Sequence, residues 1–208
     1  MLTPRGVSKP RLLIATSNLG KLREYRKLLA PIPYKLTSLS ELKIKHEVDE
    51  VGTSFEDNAS IKATTYSCMS TLISLADDSG LEVDALRGEP GIRSKRYAGP
   101  GASDSQRIQF LLDRLEGVPY WDRTARFRCV IAVAWPSGRL ELCQGSCEGM
   151  IAMVPTGSGG FGYDQAFHIP ELGKTMAEIS IEDKNRISHR AAAARQVIQL
   201  LQKNATLL

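Results

Sequence analysis

Two adjacent carboxylates, Asp77 and Asp78, followed by Ser79 and Gly80, carry the densest chemical signal in the chain. They follow the apolar run Leu72-Ile73-Ser74-Leu75-Ala76, which reads as a buried strand. The pair is therefore expected where that strand ends and a loop begins. Two buried negative charges side by side are costly unless something positive binds between them. A divalent metal is the usual solution, with one carboxylate as a ligand and the other orienting or deprotonating a water. The same four residues are also ordinary turn chemistry, so the reading needs support from elsewhere in the chain.

Four further stretches have residue types suited to a phosphorylated ligand. Thr16-Ser17-Asn18-Leu19-Gly20-Lys21 places small polar residues, a glycine and a lysine at a helix start, an outline in which free N–H groups and the helix dipole favour phosphate. It lacks the glycine spacing and Lys-Ser/Thr ending of a Walker A loop, and Ser17 or Asn18 serves equally as an N-cap. The acidic run from His46 to Gly52 offers Asp49 and Glu50 just before a helix that puts Asn58 and Lys62 on one face. Gly157 to Asp164 is dense in glycine, with Phe161 and Tyr163 as stacking faces and Asp164 as an acceptor. Finally, Lys184, Arg186, His189 and Arg190 crowd a helix start that would ordinarily prefer acids, as though an incoming anion were expected there.

These residues need elements to position them. Arg11 to Ala15 reads as a short strand leading into a helix with Leu22, Tyr25, Leu28 and Leu29 on its apolar face, stopped by Pro31 and Pro33. A second helix starts near Ser54, where Ser54 and Asp57 form a capping-box-like pair. Ser103-Asp104 opens a third, with Gly117 as its stop. Alternation through Phe127, Cys129, Ile131 and Val133, then Pro136-Ser137-Gly138 and a return through Leu140 and Leu142, predicts a β-hairpin. A separate strand is expected around Met150 to Val154, and a last helix from Ser188. Strands and helices alternate early and strands pair locally later, which is an α/β pattern with a mixed sheet.

The 208 residues, 42% hydrophobic, suffice for a single domain over 11–208, with 1–10 as a disordered tail. A net charge of +4 spread along the chain favours an anionic small molecule and gives no nucleic-acid arm. No apolar run reaches the roughly 18 residues of a membrane span, and the start lacks a signal-peptide core. The four cysteines form no Cys-x-x-Cys pair, which fits a reduced, cytoplasmic protein.

In order along the chain, Thr16 to Lys21, Ser54 to Ala59, Ala76 to Leu81, Pro90 to Tyr97, Gly160 to Asp164 and Ser188-His189-Arg190 resemble the inosine triphosphate pyrophosphatase family. The resemblance covers nearly everything after Pro10. It implies an elongated mixed sheet flanked by helices, two lobes around a central cleft, and a homodimer. It implies Mg²⁺-dependent hydrolysis of ITP, dITP and XTP to the monophosphate and pyrophosphate. By position, Asp78 matches the family's general base and metal ligand, aided by Asp77, and Ser79 touches substrate. Thr16, Ser17, Asn18, Leu19, Gly20 and Lys21 match the triphosphate cradle. Phe161, Gly162, Tyr163, Asp164, Lys184, His189 and Arg190 match base- and phosphate-binding positions. The second metal-linked acid falls at Asp49 or Glu50. Two other readings of the residues are an aspartyl-phosphate phosphatase, which would release orthophosphate, and a nucleotide sensor without turnover.

Overall fold

A computed structural model describes residues 9–205; most of the expected tail (1–8) and the last three residues lie outside it. Pro10 is already in register with the sheet, its carbonyl accepting the Lys35 amide at 2.8 Å. Seven strands form one sheet: β1 (Arg11–Ile14), β2 (Lys35–Ser38), β3 (Ile73–Val83), β4 (Thr124–Ala134), β5 (Leu140–Ile151), β6 (Phe167–Ile169) and β7 (Lys174–Thr175). Their order is β2-β1-β3-β4-β5-β6-β7. β1 runs parallel to β2 and β3, and every other neighbouring pair is antiparallel. The expected mixed α/β sheet is observed.

The described residues form five α-helices around it, α1 (Leu19–Leu28), α2 (Phe55–Ser70), α3 (Asp104–Arg114), α4 (Ile181–Ile187), which lies against the next, and α5 (His189–Ala205). The alternation of strand side chains divides the first half of the sheet into two cores. Leu12, Ile14, Leu75, Ile131 and Val133 face α1 and α5 through Tyr25, Leu29, Val197 and Leu201. Leu13, Ala76, Val130 and Ala132 face α2 through Phe55, Ala59, Ala63 and Tyr66. At the other end of the long strands a third core forms from Leu81, Val83, Phe127, Ile151 and Phe167 with Ile108, Leu111 and Leu115 of α3.

Several boundaries differ from the sequence reading. The strand does not end at the acid pair: β3 continues through Asp77-Asp78-Ser79-Gly80 to Val83, because β4 pairs with it from Ala134 back to Ala125. Met150 and Ile151 do not begin a new strand but complete β5, held opposite Thr124 and by the amide of Ile151 on the Arg123 carbonyl. β2, β6, β7 and the seven-residue α4 were not anticipated, being too short for a periodic pattern to show.

Candidate active site

The acid pair owes its setting to unequal strand lengths. β1 ends at Ile14, opposite Leu75, and Ala15 closes that edge with a 2.7 Å bond to the Leu75 carbonyl. Beyond that point β3 keeps β4 on one side but has no strand neighbour on the other until the segment after Glu89 docks near Gly80 and Glu82, so Asp77 and Asp78 lie where one neighbour stops. Such a crevice, outside the ends of parallel strands, is where open α/β sheets hold ligands. A cavity of about 810 Å³ occupies it, lined by residues 15–21, Lys62, the acids and residues of the loops before α3 and α5.

Because successive strand residues point to opposite faces, the two acids serve different surroundings, and no cation need lie between them. Asp77 faces α1 and α5: Lys21 Nζ is 2.8 Å from its Oδ2 and Arg190 Nε is 3.9 Å away. Burial alone would raise this carboxyl, but Lys21, Arg190 and Lys62 overcome it and hold it at about 2. Asp78 faces α2: Asn58 Nδ2 donates to it at 3.0 Å, the Ser79 amide at 3.1 Å, and Lys62 Nζ is 3.5 Å away. Here burial wins and the carboxyl is raised, Lys62 opposing and Glu50 reinforcing the shift. One acid is thus a fixed anion and its neighbour a more basic carboxylate.

The acidic run settles over α2 because it is pinned at both ends. Tyr66 donates to the His46 carbonyl at 2.9 Å, and Asn58 Oδ1 accepts the Gly52 amide at 2.8 Å. Between these pins Glu50 reaches Lys62 at 2.6 Å, so Lys62 bridges Glu50 and Asp78; Arg96 approaches Glu50 from the far wall at 3.7 Å. Asp49 is exposed at the rim. Ser54 is the N-cap of α2, its Oγ accepting the Asp57 amide, and the Asp57 carboxylate accepts from Thr53 N and Oγ1, so it is spent on the helix start. Ser94 docks the 3-10 turn Gly91–Arg96 onto β3 by accepting the Leu81 amide at 2.9 Å and donating to the Gly91 carbonyl. Gly80 permits this contact, since a Cβ there would lie 2.4 Å from the Gly91 carbonyl oxygen.

The cradle before α1 spends part of its polarity on the helix itself. Asn18 is the N-cap, accepting the Lys21 amide at 3.1 Å, and its own amide donates to Thr16 Oγ1. Leu19 is largely exposed at the cleft mouth, and Ser17 and Gly20 line the cavity beside it. The glycine loop comes across to meet this segment. A Cβ at Gly20 would stand 2.7 Å from the Phe161 ring, so only glycine allows the ring to lie there. Phe161 covers Lys184 Nζ at 4.9 Å and the Arg190 guanidinium at 5.4 Å. Tyr163 is turned inward, donating to the Ser94 carbonyl at 2.8 Å, and Asp164 accepts the Phe161 amide at 2.9 Å and pairs with Lys184.

The cations at the start of α5 already have partners. Glu24, buried on α1 one turn beyond Lys21, pairs with Lys184 at 2.9 Å and with Arg190. Burial raises its carboxyl, yet Arg190 and Lys184 bring it below its ordinary value. Arg190 NH2 also donates to Ser79 Oγ at 3.2 Å. The expectation that an anion must arrive to neutralise this cluster is corrected: Glu24, Asp164 and Asp77 neutralise it from within. Arg186 is mostly exposed and pairs with Asp183. His189 is buried and stacked 4.8 Å from Phe127; burial, with Arg190, Lys184 and Lys21 nearby, depresses its pKa well below the ordinary value, so it is neutral. Its Nδ1 has no hydrogen-bond partner among the described residues. Glu24 escaped the sequence reading, although its three-residue spacing from Lys21 is a signal for a shared helix face.

A model of the Ham1 family matches residues 12–200. The dITP/XTP pyrophosphatase of Desulforamulus reducens is 48% identical over 193 residues, spanning 93% of this chain and 96% of the relative. That of Geobacter sulfurreducens is 49% identical over 183 residues, spanning 88% and 92%. The structure of a HAM1 protein from Coxiella burnetii superposes with a TM-score of 0.85 at 39% identity, covering 93% of this chain and 99% of that one. The Staphylococcus aureus Ham1 protein gives 0.82 at 39% identity, with the same coverage.

Proposed function

The chain belongs to the Ham1 family, and from that premise we propose that it hydrolyses ITP, dITP and XTP to the nucleoside monophosphate and pyrophosphate. The observation that carries the reading is the unequal acid pair at the floor of the cleft, Asp77 held at about 2 and Asp78 raised beside Lys62 and Glu50. Environments that push neighbouring acids apart allot them different tasks. Asp78 positions and deprotonates the water that attacks the α-phosphorus, and Asn58 fixes the angle of its carboxylate. Asp77 anchors Lys21 at the mouth of the cradle, where its charge meets the phosphates. Lys62 answers the negative charge that grows as pyrophosphate departs.

Mg²⁺ fits this donor set. Among the described residues no three Asp, Glu, His or Cys side chains enclose a point that could hold an ion. Mg²⁺ does not require such a cage, since it is ordinarily held by one or two carboxylates together with substrate phosphates and waters. Asp78 and Glu50, joined through Lys62, supply the two carboxylates, which favours Glu50 over Asp49 as the second acid. When bound, the ion neutralises phosphate charge and lowers the pKa of its water.

Base selection follows from which polar atoms are unspent. Lys184 is engaged by Glu24 and Asp164 and Arg190 by Glu24, while Arg190 Nε and the Nδ1 of neutral His189, both residues lining the cleft, have no hydrogen-bond partner among the described residues. A C6 keto group gives a donor from this wall, Arg190 or the Nδ1–H tautomer of His189, an acceptor; the amino group of adenine does not. Sites built on such bonds discriminate by roughly 10⁴. ITP and ATP offered in parallel, with and without Mg²⁺, test the reading. Pyrophosphate released from ITP and XTP only with Mg²⁺, and ATP slower by at least a hundredfold, is expected; orthophosphate as product, or equal rates on ATP, would refute it. A cytoplasmic setting, suited to four free thiols of which two are buried, and assembly as a homodimer complete the proposal. Sedimentation at micromolar concentration tests the dimer. No helix among the described residues is long and apolar enough to cross a membrane.

A further inference from the structure

Asp104 reads in sequence as the first residue of a helix, and in the structure its carboxylate reaches beyond that helix. Its Oδ2 accepts the Gly162 amide at 2.6 Å, and its Oδ1 is ion-paired with Arg107 one turn along α3. Arg107 also donates to the Lys95 carbonyl at 3.1 Å and to the Ala102 carbonyl. One carboxylate therefore ties the glycine loop to the cationic turn Gly91–Arg96 on the facing wall. The neighbouring amide, that of Phe161, is captured separately by Asp164. The peptide groups on both sides of the Phe161 Cα are thus held by two carboxylates from different parts of the chain. The ring between them lies over Lys184 and Arg190 and against Gly20.

We propose that Asp104, oriented by Arg107, is a positioning residue that fixes the Phe161 ring as the platform on which the purine stacks. The inference rests on reading the cleft as a nucleotide site and adds what sets its base-binding half. An aromatic face contributes to binding only when it is already in place. With the Gly162 amide released, the loop samples other arrangements, and apparent affinity falls by the fraction of time the ring is misplaced. A merely structural alternative exists, because an acid in the first turn of α3 favours the helix dipole. That role would lower stability without distinguishing one half of the ligand from the other.

The test compares the full-length wild type with Asp104→Ala and Asp104→Asn, the latter keeping an acceptor for Gly162 while losing the ion pair. Calorimetry with IMP and with pyrophosphate, each with Mg²⁺, reads the two halves of the cleft separately. Asp104→Ala is expected to weaken IMP about tenfold, to leave pyrophosphate within about twofold, and to raise KM for ITP with kcat nearly held; Asp104→Asn recovers part of the loss. Equal weakening of both ligands, weakening of pyrophosphate alone, or no change would overturn the proposal. Amide exchange at Gly162, followed by NMR, reads the tether without any ligand. The Gly162 amide exchanges at least about tenfold faster in Asp104→Ala, and an unchanged rate refutes the tether. A wild type that neither turns over ITP nor binds IMP defeats the proposed function instead, and the exchange rate still decides whether Asp104 holds the loop.

Discussion

Asp77 and Asp78 differ by one position in a strand, and the pleat turns that single step into two chemical settings. On one face Lys21 and Arg190 close on Asp77; on the other Asn58 and Lys62 hold Asp78 without neutralising it fully. The consequence for catalysis is asymmetric. Asp78→Asn keeps the shape, leaves Lys21, Asp77 and Arg190 undisturbed and removes a charge that burial disfavours, so the protein should fold with a midpoint in urea no lower than that of wild type. It removes the group proposed to accept the proton of the attacking water, and turnover of ITP is expected to fall by at least about a hundredfold. Steady-state release of pyrophosphate checks this, and turnover within a few fold of wild type would remove Asp78 from the role of base.

Among the elements, α1 carries most of the positioning. Its N-cap Asn18 sets the proposed phosphate segment, Lys21 reaches down to Asp77, and Glu24, one turn on, reaches across to α4 and α5. Lys184, Arg190 and Glu24 are nearly inaccessible, which makes Glu24 the counter-ion for two cations that water cannot reach. Breaking a buried pair from one side leaves a stranded charge and costs about 3–5 kcal/mol. Glu24→Gln, nearly isosteric, is expected to lose at least about 3 kcal/mol in urea denaturation, seen as a lower midpoint at an unchanged m-value. A loss below about 1 kcal/mol would mean that Asp164 and Asp77 suffice alone.

The same elements mark what a single sequence can and cannot disclose. α1, α2, α3, α5 and the β4–β5 hairpin were legible because each is long enough to display its period or its ends, as Ser54 with Asp57 and Ser103-Asp104 do. The continuation of β3 through four polar and small residues was not, because it is imposed by β4 and leaves no local pattern. Asn58 and Lys62 could be placed on one face, and both do meet Asp78. Glu24 and Asp104 act through partners 160 and 58 positions away, Lys184 and Gly162. Only the tertiary fold brings such pairs together.

For the molecule as a whole, the join between its cores passes through α5, and His189 at its start is where stability and pH meet. The ring stacks on Phe127 of the third core while the helix behind it packs into the first. Burial and the three nearby cations hold its pKa well below that of an unfolded-state histidine, near 6.5. Above that pH the ring is neutral in both states and contributes nothing to the pH dependence. Below it the unfolded chain takes up a proton that the native protein refuses, so stability falls with pH by up to about 1.4 kcal/mol per unit. Asp78 and Asp164, raised by burial, act in the opposite sense, since the native protein holds their protons more tightly. Glu24, depressed, contributes stability that is lost only below the ordinary glutamate range. All three acids are common to wild type and to His189→Gln, so the difference between the two proteins isolates the histidine. Denaturant midpoints between about pH 7 and pH 5 should diverge, the wild type losing close to one proton's worth of slope more than the variant. Parallel lines across that range would mean that His189 takes up its proton within the folded protein, and that the cleft wall it lines is cationic and not neutral.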